Sequence, residues 1–106
     1  MKKLKADKNG WYCGYWNDSP IQINFCARKS LYKNEALHFH KDFYEYYLVI
    51  KGWLVLEIEG KEHKLIKNNM IIVEPKEKHK VTRMGKYGCK YLSVKSKSYK
   101  GNKILV

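Results

Sequence analysis

Apolar and polar residues alternate along much of the chain, the period expected of strands with one buried face. Residues 21–26, Ile-Gln-Ile-Asn-Phe-Cys, predict a half-buried strand. Residues 35–40, Glu-Ala-Leu-His-Phe-His, predict a short one that breaks at Lys41-Asp42. From Phe43 to Lys51 the chain is rich in β-formers and stops at Gly52. The strongest local pattern runs over 53–65, where two alternating arms flank Glu59-Gly60 as a tight hairpin. Lys67-Asn68-Asn69 predicts a second turn, because Asn tolerates positive φ. Met70 to Glu74 reads as a buried strand stopped by Pro75. His79–Met84 and Cys89–Val94 predict two further strands joined by Gly85-Lys86-Tyr87-Gly88, and Ile104-Leu105-Val106 a closing edge. No segment of ten or more residues shows a helical period. Eight or nine short strands at even spacing predict an all-β sandwich or barrel.

A length of 106 residues suits a single domain, 1–106, with residues 1–10 as a loose arm. No apolar run approaches the roughly 20 residues that span a bilayer, so no membrane is expected. The charged start, Met1 to Lys8, has no apolar stretch behind it, so a secretory signal is not expected and the cytoplasm is. Three cysteines, Cys13, Cys26 and Cys89, without a CxxC spacing argue for free thiols rather than a disulfide framework or zinc knuckle.

The net charge is +12 and uneven: +5 over 1–34, −2 over 35–75 and +9 over 76–106. A basic chain can attract nucleic acid or anionic metabolites. Of the 22 basic residues, only Arg28 and Arg83 are Arg. Specific phosphate and base readers lean on the bidentate guanidinium, so a nucleic-acid partner is disfavoured. Tyr87, Tyr91 and Tyr99 among the C-terminal lysines are its only support.

The chemistry concentrates in the histidines. His38 and His40, at i and i+2, share a strand face. Glu45 would face away on a continuous strand, but a turn or bulge at Lys41-Asp42 returns it to that face. His79 starts another strand just past Pro75. Imidazoles with one carboxylate suit a divalent first-row metal and leave positions open for water or substrate. His63, in the outgoing hairpin arm, reads as solvated. Tyr47 and Tyr91 read equally as cavity lining or core, while Arg28 reads first as surface and second as a contact for an anionic substrate. Trp11, Trp16 and Trp53 read as core or interface.

The run His-x-His-x4-Glu-x6-Gly from His38 to Gly52, followed by Glu74-Pro75-Lys76-Glu77-Lys78-His79, resembles the two motifs of the cupin superfamily. The resemblance is close over 31–84 and looser over 21–94. The leading Gly of the first motif is absent near Tyr32 or Lys33. Asn69 takes the turn Gly of the second motif, and Glu74-Pro75-Lys76 replaces its internal Pro-x-Gly. The resemblance implies a double-stranded β-helix, a jelly-roll barrel. It also implies His38, His40, Glu45 and His79 as ligands of one divalent transition metal (Mn, Fe, Ni, Co or Zn), and a homodimer, with Trp11–Trp16 as candidate contact. Isomerase, epimerase, dioxygenase and decarboxylase chemistries all occur on that fold, which leaves the reaction open. The expected ligand is a small metabolite, anionic or sugar-like. The stretch from His38 to His79, notably Asp42-Phe43-Tyr44-Glu45, is also similar to the effector-binding barrel of AraC-type regulators. A non-catalytic binding or sensor barrel is therefore the alternative function.

Overall fold

The computed structural model describes residues 1–29 and 35–106; Tyr32 and Lys33 lie outside them. The described residues form eight strands: β1 (Trp11–Cys13), β2 (Gln22–Arg28), β3 (His38–Phe39), β4 (Glu45–Ile58), β5 (Lys61–Leu65), β6 (Met70–Val73), β7 (His79–Lys95) and β8 (Ile104–Leu105). The helical content among them is a single 3-10 turn, Tyr15–Asn17.

Two long strands organise the rest. β4 and β7 pair antiparallel from Glu45↔Lys95 to Ile58↔His79. β2 extends this sheet on the C-terminal part of β7, and β1 extends it beyond β2. β6 pairs with the first half of β4 and β5 with its second half. β3 bridges the start of β7 to β8 through His38↔His79 and His38↔Leu105. Tyr47 and Val49 from one half of β4, and Leu54, Leu56 and Ile58 from the other, join one buried core with Leu65, Val73, Val81, Cys89 and Tyr91. Only a curled sheet brings both halves of one strand to one core. The result is an all-β barrel of the double-stranded β-helix type.

The curl sits at two glycines. Inward positions on β4 switch from odd to even numbers between Val49 and Leu54. Across the same stretch Gly52 pairs with Cys89 but Leu54 pairs with Met84, which sets the four residues Gly85–Gly88 of β7 against Trp53 alone on β4. Gly52 and Gly88 have φ of +81° and +86°, and a Cβ on Gly52 would lie 2.5 Å from the Gly88 carbonyl oxygen. The strand end expected at Gly52 and the turn expected over Gly85–Gly88 are thus bulges inside continuous strands. Local sequence marks the break in pleat, but pairing on either side carries the strand through.

The hairpin at Glu59-Gly60 forms as expected, with Ile58↔Lys61 closing it and both turn residues at positive φ. Asn68 takes positive φ in the second turn. The segment expected as a loose arm is tied down from Asp7 on. Asp7 Oδ1 accepts from the Asn9 and Trp11 amides at 2.8 and 3.0 Å, and the Gly10 carbonyl accepts from the Phe25 amide at 2.8 Å. An Asp side chain folding onto its own downstream backbone is the signal, and β1 follows from it.

The two kinds of glycine separate in a denaturation experiment. Gly60 has open space around its Cβ position and needs only its left-handed φ. Gly60→Ala is expected to cost about 1 kcal/mol. Gly52→Ala adds overlap with backbone and is expected to cost about 3 kcal/mol or more. Urea titrations of both variants measure the difference.

Candidate metal centre and its cavity

The fold brings His38, His40, Glu45 and His79 together, all buried, with one potential ligand atom from each within 4.8 Å of the others. Three elements supply them. β3 carries His38, with His40 in the segment that follows it, β4 begins at Glu45, and β7 begins at His79. The bend at Lys41-Asp42 lies between β3 and β4 and turns Glu45 inward. The turn after Pro75 is tied to the same place, since the Lys76 amide donates to the His40 carbonyl at 2.7 Å. Lys76 has a φ of +70° where the family pattern has its glycine.

Backbone carbonyls orient the imidazoles. His38 Nδ1 lies 2.9 Å from the Ala36 oxygen, His40 Nδ1 2.8 Å from that of Asn102, and His79 Nδ1 2.9 Å from that of Glu77. A carbonyl oxygen only accepts, so each Nδ1 holds the proton, and in the neutral ring Nε2 carries the lone pair. His40 Nε2 and His79 Nε2 then lie 2.9 and 3.2 Å from the same Glu45 Oε1. That oxygen is also an acceptor. The contacts are favourable only with protonated rings or with a cation among the three atoms. Nδ1 held by a second group and Nε2 facing a carboxylate is the arrangement of histidine metal ligands, so the donor set fits a divalent ion.

Burial alone would raise the Glu45 carboxyl, but hydrogen bonds from His40 and His79 outweigh it and hold the group well below the usual carboxylate range. Ser93 Oγ donates to Glu45 Oε2 at 2.7 Å. Burial pushes His38 down to about 4. For His79 burial works in the same direction but is overcome by Glu45 and by the Glu77 carbonyl, so its pKa is raised.

A cavity of about 950 Å3 opens onto this cluster, lined by His38, Glu45, Tyr47, Tyr91 and Ser93. Lys8, Arg28, Lys95 and Lys103 bring positive charge to its wall. Tyr47 and Tyr91 belong both to the core and to the lining, stacked at 6.0 Å. Arg28, expected at the surface ahead of the site, lines the cavity. Burial raises both tyrosine pKa values, so each is a proton donor at neutral pH. The burial of Tyr91 removes it from any exposed stacking row with Tyr87. His63 is exposed on β5. None of the three tryptophans belongs to the buried core. All three cysteines are free, and Cys26 lines the cavity.

Three contributors escaped the sequence reading. Ser93 continues the inward alternation of Cys89 and Tyr91, a signal that was available. Asn102 acts through its carbonyl, which any residue would offer. Glu35 lines the cavity with a carboxylate oxygen 3.5 Å from His38 Nδ1, and burial raises its pKa.

Residues 33–95 match the family described as "Cupin domain". The chain belongs to the cupin superfamily. Its fold is similar to that of an RmlC-like cupin with a double-stranded β-helix from Methanocaldococcus jannaschii. The TM-score is 0.72 at 16% identity, over 92% of this chain and 91% of that one. A cupin from Bacteroides fragilis gives 0.68 at 14% identity, over 93% and 86%. The nucleoside dehydratase Pac13 gives 0.74 at 12% identity, over 100% and 91%. Variants of that Streptomyces protein were solved with uridine. At these identities the likeness concerns the fold. No curated protein matches the chain in sequence.

The opposite shifts of two histidines shape the stability of this cupin in the ion-free state. Between pH 6.5 and about 4 the unfolded chain binds a proton at His38 that the folded chain refuses. Stability therefore falls with acid, by about 3 kcal/mol from this residue. The raised His79 stabilises fully below pH 6.5, and that contribution is lost as pH rises through its folded value. Melting of EDTA-treated protein is expected to peak near pH 6.5, with His38→Gln flattening the acid side and His79→Gln the alkaline side.

Proposed function

We propose that this cupin holds one divalent transition metal on His38, His40, Glu45 and His79 and takes a small anionic molecule into the adjoining cavity. The observation that carries the metal is the set of Nδ1–carbonyl bonds, which turns Nε2 of His40 and His79 toward Glu45. The cavity wall carries four cationic side chains against the three carboxylates of Asp7, Glu35 and Glu45, an excess that supports an anionic ligand. When bound, the ion supplies Lewis acidity at the cavity floor. Tyr47 and Tyr91 donate hydrogen bonds or protons to a ligand there, and Glu35 is placed to take up a proton. This supports an enzyme of the proton-transfer type, an isomerase or epimerase. The dehydratase activity of Pac13 and its structures with uridine support a small-molecule ligand in a barrel of this shape. A sensor barrel without turnover differs from the enzyme only in lacking product.

The metal is tested by thermal melting with Mn, Fe, Co, Ni or Zn. At least one ion is expected to raise the melting temperature. His40→Ala is expected to remove most of the gain, while His63→Ala keeps it. No shift in the wild type, or loss through His63 instead, defeats the assignment.

The proposal includes a homodimer. Across β6, β4, β7 and β2, Ile72, Tyr46, Val94 and Ile23 stand in register, and Met70, Leu48 and Leu92 form the next row. Neither row holds a charge, and Met70 and Ile72 are exposed. An uncharged sheet face on so charged a chain supports self-association there rather than at Trp11–Trp16. Light scattering is expected to give twice 12.7 kDa for the wild type and 12.7 kDa for Ile72→Lys. A monomeric wild type at high micromolar concentration contradicts it.

A further inference from the structure

A second compartment, of about 470 Å3, adjoins the cavity. Trp11, Tyr15, Trp16 and Tyr99 wall it, and Gln22 lies at its back. The Trp16 ring stands at 86° to Trp11 with centroids 5.6 Å apart, and at 80° to Tyr15 at 5.3 Å. The three rings make an aromatic corner. Trp16 and Tyr15 remain 48% and 45% exposed.

Gln22 is only 5% exposed, and the orientation of its amide follows from its neighbours. Asn102 Nδ2 lies 2.8 Å from the Tyr99 carbonyl, so that atom is the nitrogen and a donor. The Gln22 atom 3.4 Å from it is therefore an oxygen, which also accepts from Ser98 Oγ at 2.8 Å. The amide nitrogen of Gln22 points the other way and has no partner among the described residues. No buried side-chain nitrogen or oxygen among the described residues lacks a partner, so this N–H2 is not sealed from solvent, and Gln22 lines the compartment.

We propose that this compartment is a subsite for a planar ring bearing a hydrogen-bond acceptor, an aza nitrogen or a carbonyl oxygen. The ring lies against the Trp11–Trp16–Tyr15 corner, and its acceptor receives a hydrogen bond from Gln22 Nε2. Four aromatic rings form most of the wall; of the polar groups beside them, Asp7 Oδ1 is occupied by its own backbone, the Tyr99 hydroxyl by Asp42 and Asn102 Nδ2 by the Tyr99 carbonyl, while the Gln22 amide and Lys103 remain as donors. Stacking and one in-plane hydrogen bond suit a flat heterocycle. The subsite goes beyond the metal reading and does not depend on it. Asp7, Trp11 and Lys103 line both compartments, so a ring bound here can carry an anionic arm into the cavity.

The test uses pyridine and benzene, rings of one shape of which only pyridine has an acceptor. The readout is the three tryptophan indole N–H signals in NMR titrations of the full chain, as purified and after EDTA. Trp53, packed beside Gly85 and Lys64, is the internal control. Both rings are expected to shift Trp11 and Trp16 but not Trp53. Trp16→Ala, or Tyr15→Ala should the first variant fold poorly, is expected to weaken both rings about ten-fold. Gln22→Glu keeps the oxygen that Ser98 and Asn102 need but removes the donor. It is expected to weaken pyridine about five-fold and leave benzene unchanged. Equal movement of Trp53, unchanged binding in both wall variants, or a Gln22→Glu variant that treats the two rings alike overturns the proposal. Failure of the metal reading would leave these EDTA titrations as expected.

Discussion

The buried carboxylate of Glu45 is the constraint around which the structure is arranged. An uncompensated charge at this depth costs several kcal/mol, on the order of what holds a domain of this size folded. Two imidazoles meet one of its oxygens and the Ser93 hydroxyl meets the other. Those two imidazoles are aimed by backbone carbonyls from separate places, His40 by the C-terminal segment at Asn102 and His79 by the turn at Glu77, while His38 beside them is held by Ala36 at the strand entry. Removing the carboxylate would therefore leave polar groups from three parts of the chain facing each other without a partner.

That convergence depends on the length and bending of two strands. β7 begins with His79 beside His38 and beside the end of β4, while the start of β4 delivers Glu45 to the opposite end of β7. Residues 34 apart in sequence meet because β4 and β7 both cross the curl. Gly52 and Gly88 make the crossing sterically possible, and the extra residues on β7 absorb the difference in path. Tyr47 lies on the seam, its ring 6.3 Å from that of His79 and 6.0 Å from that of Tyr91, so the apolar core grades directly into the polar cluster.

The surroundings divide by chemistry. Lysines and Arg28 share the cavity wall with the carboxylates of Asp7, Glu35 and Glu45, and the aromatic compartment next to it offers stacking with one free amide. Trp11 and Lys103 stand at the boundary. The N-terminal segment, anchored by Asp7 and Gly10, forms part of both walls.

The strand segments from β2 onward, the Glu59-Gly60 hairpin, the Asn68 turn and the grouping of His38, His40, Glu45 and His79 were legible in the sequence, whereas β1 was not. Each rests on short-range rules: alternation puts neighbours i and i+2 on one face, and Gly and Asn supply positive φ where a tight turn needs it. The motif spacing carried the long-range part, because it resembles a known family's. Pairing partners were not legible. Gly52 and the Gly85–Gly88 run carry the same local signal as a chain reversal, and only the ladder between β4 and β7 makes them bends within continuous strands. The tautomers of the histidines, the placing of Arg28 and Lys103 on one cavity wall and the free amide of Gln22 were likewise decided in three dimensions. They depend on carbonyls and side chains far along the chain, and a backbone carbonyl leaves no mark in sequence that distinguishes Asn102 from any other residue.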